Sequence, residues 1–192
     1  MANERLFTLL ERIGNLTQAS LRAAGRAHGL QPVPLLALSY LAKANRYSDT
    51  PAAVAEYLGL SRAATSQTLA LLEERGLVER SQDTADRRVR HLALTAAGRS
   101  IVSTALPPRE WKSLLGSRGS PAGRLEVEFE ELLRSLQRAG GGATFGVCRT
   151  CRHFLAEPGG RYRCGLTQEP LAAAQTSKIC REHAPVAARA CP

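Results

Sequence analysis

The feature that most constrains this chain is its punctuation between residues 50 and 76. Thr50-Pro51 opens a helix. The threonine side chain can accept from the first free N–H groups, and proline suits the first helical position. Val54, Tyr57 and Leu58 give this helix a core face, and Gly59 breaks it. Ser61 caps a second helix over 62–75, which Gly76 ends. On that helix Thr65, Thr68, Leu69 and Leu72 form one stripe and should face a core. Arg62, Ala63, Ser66 and Gln67 lie opposite, on the first two turns. Helix, short Gly-containing turn, helix is the helix-turn-helix arrangement.

After Gly76 the period changes. Leu77-Val78-Glu79-Arg80 reads as a short strand, 81–86 as turn chemistry, and Val89 to Leu94 as a return strand. The pair makes a hairpin, or wing, whose tip carries Arg87, Arg88 and Arg90. Thr95 caps a helix over 95–106, stopped by Pro107-Pro108. Leu6, Leu9, Leu10, Ile13 and Leu16 form an apolar stripe on a helix over 4–24, and a nearly all-apolar helix over 34–44 follows Pro32 and Pro34. Leu125, Phe129, Leu132, Leu133 and Leu136 mark a further helix over 122–138, and 107–121 reads as a short helix and a loop.

The second helix of such a motif projects its N-terminal half outward, and the major groove is wide enough to admit it. Gln67 suits adenine in that groove, while Arg62 and Ser66 suit phosphate or mixed contacts. The wing arginines can reach phosphates or a narrow minor groove. The balance of 26 Lys and Arg against 17 Asp and Glu, net +9, draws the chain to a polyanion.

These residues carry a family resemblance. Leu60-Ser61 opens the recognition helix, Leu72-Glu73 precedes Gly76-Leu77-Val78, Asp86-Arg87-Arg88 stands in the wing, and Leu94-Thr95-Ala96-Ala97-Gly98 follows it. The run strongly resembles the winged-helix core of MarR-type transcriptional regulators. With its flanking helices the resemblance extends over residues 4–138. It implies a homodimer in which the N-terminal helix and the helices after residue 95 intertwine. It also implies that two recognition helices and two wings grip a pseudo-palindromic double-stranded DNA operator. By position, Ser61, Arg62, Ala63, Ser66 and Gln67 fall to the recognition helix, Arg87, Arg88 and Arg90 to the wing, and Asp86 to the acid that steadies it. Gln67 and Ala85 stand where the family often has arginine. Pro107-Pro108 and the loop at 116–123 interrupt a region usually helical.

All five cysteines come after residue 147, in a segment with few aliphatics. Cys148, Cys151, Cys164 and Cys180 follow a C-x2-C-x12-C-x15-C spacing, and Cys191 stands apart near the last residue. Confined thiols in a coreless segment point to a metal or redox site. Zinc held by the four thiolates would fold the segment outright. An iron–sulfur cluster on the same ligands is the alternative, and a bare thiol switch is the third chemistry. His183 and His153 read as neighbours rather than ligands. The cationic neighbours Arg149, Arg152 and Arg181 are expected to lower the thiol pKa values.

The expected fold is mainly α with a small β-wing: a winged helix-turn-helix domain, helical dimerisation elements and a small Cys-rich module. A DNA-binding and dimerisation domain occupies 1–139, with the helix-turn-helix at 50–76 and the wing at 77–94. A Gly-rich linker spans 140–146 and the metal-binding segment 147–192. Such a chain is expected to regulate transcription under a metal, redox or small-molecule effector. The alternatives are a winged helix that binds only proteins, or a C-x2-C thiol redox protein.

Enzymatic chemistry is not expected. His28, His91, His153 and His183 are scattered, and the Gly run at 140–142 lacks the Lys and Ser/Thr of a phosphate loop. The chain has no unbroken apolar run of 18 residues, and charges interrupt its N-terminal pattern. Neither a membrane span nor a signal peptide is expected, which leads to a cytoplasmic reading.

Overall fold

The computed structural model describes residues 2–84, 86–116, 122–141 and 143–186. Helices dominate. α1 (Ala2–Arg26), α2 (Pro32–Lys43), α3 (Pro51–Leu58) and α4 (Arg62–Glu74) lead into the antiparallel strands β1 (Val78–Gln82) and β2 (Arg90–Leu94). α5 (Ala96–Ala105), α6 (Arg109–Gly116) and α7 (Ala122–Ala139) follow. The C-terminal segment holds β3 (Gly146–Val147), a 3-10 turn at Cys148–Thr150, β4 (Phe154–Glu157), β5 (Arg161–Cys164), β6 (Pro170–Leu171), α8 (Ala173–Thr176) and β7 (Ile179–Cys180).

The core is built on α2, which is apolar on most sides because neighbours cover it. Leu35, Leu38 and Tyr40 are fully enclosed with Val54 of α3 and Leu69 and Leu72 of α4. The stripe read from the sequence of α4, Thr65, Thr68, Leu69 and Leu72, is the buried one. The wing joins this core through Val78, Leu92 and Leu94 in the register Val78↔Leu94 and Arg80↔Leu92. Thr95 fastens its base. Its Oγ1 accepts from the Gly98 N–H at 3.1 Å and donates to the Gly76 carbonyl at 2.7 Å. Gly98 is there because α5 runs against β1 at backbone distance. A Cβ at this position would collide with the Leu77 carbonyl oxygen.

The apolar faces of α1, α6 and α7 are left largely uncovered by the described residues. Leu6, Phe7 and Leu16 on α1, Leu114 on α6, and Val127, Leu133 and Leu136 on α7 are all more than half exposed.

The described part of the C-terminal segment packs on the winged helix. Phe145 and Ile179 join the main core, and the ring of Phe145 meets Tyr57 and Tyr40 edge-on at 5.2 and 6.1 Å. Two small sheets organise it, β3 with β7 and the order β4-β5-β6. Gly146 permits the first of these, since a Cβ there would stand 2.5 Å from the buried His183 ring.

Candidate nucleic-acid interface and cysteine cluster

Local chemistry sets the outward helix. Ser61 caps α4, its Oγ accepting from the Ala64 N–H at 3.2 Å, and Thr65 donates back to the Ser61 carbonyl at 2.9 Å. With Thr65 drawn inward, the opposite face of the first two turns is left to solvent. Ser61, Arg62, Ala63, Ser66 and Gln67 are all exposed. Arg62, Ser66 and Thr65 line a cleft with Pro51, Ala55 and Arg80, so the outward row of α4 borders the start of α3.

The wing tip is ordered by carboxylates. Asp86 accepts from the Arg88 backbone N–H at 2.9 Å and from its guanidinium at 3.1 Å, while the Asp86 N–H donates to Asp83 Oδ1 at 2.7 Å. The Arg88 hydrogen bonds hold the Asp86 carboxyl below its ordinary range. Arg87, Arg88 and Arg90 are exposed, and Arg90 donates to the Arg87 carbonyl at 3.2 Å. The wing arginines and the outward row of α4 thus border the same winged-helix unit, and Asp86 sits where a wing-steadying acid would. Ala85 lies outside the described residues.

Below the tip, His91 stands between two carboxylates. Its Nδ1 is 2.6 Å from Asp49 and its Nε2 is 3.0 Å from Asp83. Only the imidazolium can donate from both nitrogens at once. The Asp49 hydrogen bond, helped by Asp83, raises the His91 pKa above the ordinary histidine value. Asp49 is itself raised, because its burial outweighs the attraction of His91. Asp49 belongs to the α2–α3 loop, and its carbonyl accepts the Leu92 N–H at 2.7 Å. Sequence reasoning did not find this clasp. The residues are 42 positions apart and share no periodic signal.

The four cysteines come from three separate pieces of chain and line one cavity of about 40 Å³, with Asn45, Tyr47, His153, Phe154 and Leu166. Cys148 and Cys151 flank the 3-10 turn, where the Cys151 N–H donates to the Cys148 carbonyl at 3.0 Å. Cys164 pairs with Phe154 across β4–β5, and Cys180 with Gly146 across β3–β7. The Ala184 N–H donates to Cys151 Sγ at 3.4 Å. Among the described residues, no three His, Cys, Asp or Glu side chains are gathered so as to hold a metal ion as they stand. Cys191 lies outside the described residues. His183 faces Thr150, 3.0 Å from its Nε2, and Thr144, away from the thiol cavity.

The thiol chemistry corrects one expectation. Burial, not cationic neighbours, dominates. It pushes the Cys148 thiol up to about 11, with the other three cysteines adding to the rise, and it raises Cys180 as well. The Asn45 side chain and the Glu182 backbone N–H partly offset this at Cys180. Arg181 is engaged elsewhere, paired with Glu56 at 2.5 Å.

The loop at 45–48 is the seat of the cysteine segment, and it too was not read from the sequence. The Asn45 N–H donates to the Ile179 carbonyl at 2.9 Å, and the Arg181 N–H donates to Ser48 Oγ at 2.7 Å. Arg46 pairs with Glu169 at 3.0 Å, and the Tyr47 hydroxyl donates to the same carboxylate at 2.6 Å.

Comparison with known proteins bears on the winged helix. The family model described as MarR family matches residues 28–89. The transcriptional repressor MprA of Escherichia coli strain K12 is 33% identical over 84 residues, which is 44% of this chain and 48% of that protein. The chain therefore spans about half the length of this curated relative. The structure of CouR from Rhodococcus jostii RHA1 bound to p-coumaroyl-CoA has a TM-score of 0.60 at 24% identity, covering 71% of this chain and 94% of that one. The Staphylococcus aureus MepR–DNA complex gives a TM-score of 0.56 at 20% identity, covering 67% and 94%. Over residues 28–89 this chain is similar in sequence to the MarR family, and its mainly helical fold with a small wing matches the winged-helix fold of these structures.

Proposed function

We propose that the chain is a non-enzymatic transcriptional regulator that binds a double-stranded DNA operator in sequence-specific fashion, modulated through its C-terminal four-cysteine metal or redox site. One observation carries the reading. A capped helix exposes Arg62, Ala63, Ser66 and Gln67 next to a wing that exposes Arg87, Arg88 and Arg90. Small and hydrogen-bonding groups suit base edges, and long cations suit the backbone on either side. Ser61 caps the helix and lies at its DNA-facing end, and Asp86 holds the tip that presents Arg88. The likeness to MepR, whose structure is described with DNA, supports the same placement.

A homodimer fits the uncovered apolar faces of α1, α6 and α7, which a second copy would bury. The cleft between α1 and α7, lined by Leu6, Leu10, Leu125, Phe129 and Leu132, lies in that region. A small-molecule effector is part of the proposal by likeness to CouR, described with p-coumaroyl-CoA. No helix among the described residues is long and apolar enough to cross a membrane, and the cytoplasm is the proposed location.

The test is binding of the purified protein to duplexes from its own upstream region at two salt concentrations. Affinity should fall steeply with salt, and an unrelated duplex should bind far more weakly. Absence of binding at low ionic strength would leave the protein-interaction reading in its place.

A further inference from the structure

At the seam between the cysteine segment and the 45–48 loop, three independent observations coincide. Four thiols from separate strands and turns line one small cavity. Backbone N–H groups point at two of the sulfurs, Ala184 at Cys151 and Glu182 at Cys180. Asn45, only 1% exposed, lines the same cavity, and its side-chain amide is turned toward Cys180 without a well-formed hydrogen bond to Nδ2 among the described residues. A buried amide donor with only a weak thiol acceptor is poorly satisfied, so it favours a stronger acceptor at that sulfur. Its other atom is occupied, since Oδ1 accepts from the Tyr47 N–H at 3.1 Å and the Ser48 hydroxyl at 2.8 Å. With Oδ1 so occupied, Nδ2 is the atom left to meet the Cys180 thiol.

Resting on the regulator reading, we infer that Cys148, Cys151, Cys164 and Cys180 are the thiolate ligands of a thiophilic metal centre whose outer hydrogen-bond donor, Asn45, comes from the DNA-binding unit itself. Zinc and an iron–sulfur cluster share this ligand chemistry. The donor set fits either one. A cysteine sulfur hangs on a single rotatable bond, and a change of rotamer is the movement that would turn thiols lining one cavity toward a common centre. A metal-bound thiolate is a far better acceptor than a thiol, which suits the Asn45 amide at Cys180 and the two backbone N–H groups together.

The placement gives the centre a route to the wing. Cys180 is followed by Arg181, whose N–H holds Ser48. Asp49 comes next and clasps both His91 and the Leu92 N–H of β2. Loading the centre fixes the 45–49 loop, and that loop fixes the wing against α2 and α3. Losing the centre frees Asn45 and loosens the same chain of contacts.

The full-length protein, purified without oxygen, is assayed for zinc, iron and acid-labile sulfide. The metal-free protein is then titrated with zinc alone and with iron plus sulfide. About one zinc per chain without colour identifies zinc, and brown protein with about four irons and matching sulfide identifies a cluster. A chain that retains and takes up neither overturns the inference. Cys148→Ser with Cys164→Ser should abolish uptake. Asn45→Asp provides a second handle, because it keeps the acceptor used by Tyr47 and Ser48 and replaces the donor with a carboxylate oxygen that repels thiolates. Its metal affinity should fall about 10–100-fold with helix content unchanged by circular dichroism, and unchanged affinity would deny Asn45 its positioning role. Operator affinity should drop on metal removal by about 5–150-fold. Equal affinity would remove the coupling to the wing. Metal binding without any DNA binding would leave the centre standing and defeat the regulator reading alone.

Discussion

Gln67 and Arg88 differ in what each can do for a duplex. Gln67 carries a donor and an acceptor on an exposed face of α4, a pattern that pairs with one base. Gln67→Ala should weaken operator binding by about 1–3 kcal/mol and relax preference at one base pair, measured by competition with substituted duplexes. Arg88 is a fully exposed cation steadied by Asp86. Arg88→Ala should weaken all duplexes alike and reduce the salt slope by about one per wing contact. His91 supplies a pH dependence. Its folded pKa lies above 6.5, so the charged clasp on Asp49 and Asp83 is fully present below that value. It is lost as pH rises through the raised folded value. The protection of the Leu92 amide and its strand neighbours, measured relative to their intrinsic exchange rates, should therefore fall as pH increases across that window. A flat profile in His91→Gln would assign the effect to this residue.

At the level of elements, hydrogen bonds and close approaches at helix ends govern how the wing seats. Thr95 caps α5 and ties it to Gly76 in one step. Gly98 lets α5 lie on the Leu77 backbone. Gly98→Ala should cost about 1–3 kcal/mol by forcing α5 off β1, read from the midpoint of denaturant unfolding at unchanged slope. The helix-turn-helix was legible because its signals are local. Thr50, Gly59, Ser61 and Gly76 each act within a few residues, and the caps expected at Thr50, Ser61 and Thr95 are the ones formed. The wing was legible for the same reason, as a change of period between turn residues. The 45–49 loop offered neither period nor cap. Asn45-Arg46-Tyr47-Ser48-Asp49 reads as an ordinary polar connection, and its partners lie far away in sequence.

For the molecule as a whole, the cysteine segment and the winged helix share one core. Phe145 stands on Tyr40 and Tyr57, and Ile179 bridges to Ala44. Phe145→Ala should destabilise the winged helix by about 3 kcal/mol and leave a single unfolding transition rather than two. A separate second transition would mean that the segment folds by itself. The exposed faces of α1 and α7 belong to the same scale. Charge placed at Leu6 and Phe129 should turn the proposed dimer into a monomer in sedimentation, with little change in the unfolding of α2–α5.

The amino-acid order alone determined the helix-turn-helix, the wing, the buried stripe of α4 and its outward row, because caps, glycines and periodicity act over a few residues. It also singled out four cysteines by their spacing. Only the tertiary structure decided where those thiols sit, which loop roofs them and how that loop clasps the wing. These contacts join residues 42 positions apart, as at His91 and Asp49, and 133 apart, as at Arg181 and Ser48, and no local propensity encodes which distant surface a short polar loop will meet. The same reason explains the thiol chemistry. Basic neighbours in sequence suggested easy ionisation, but burial against the 45–48 loop, a property of the folded chain, sets it the other way.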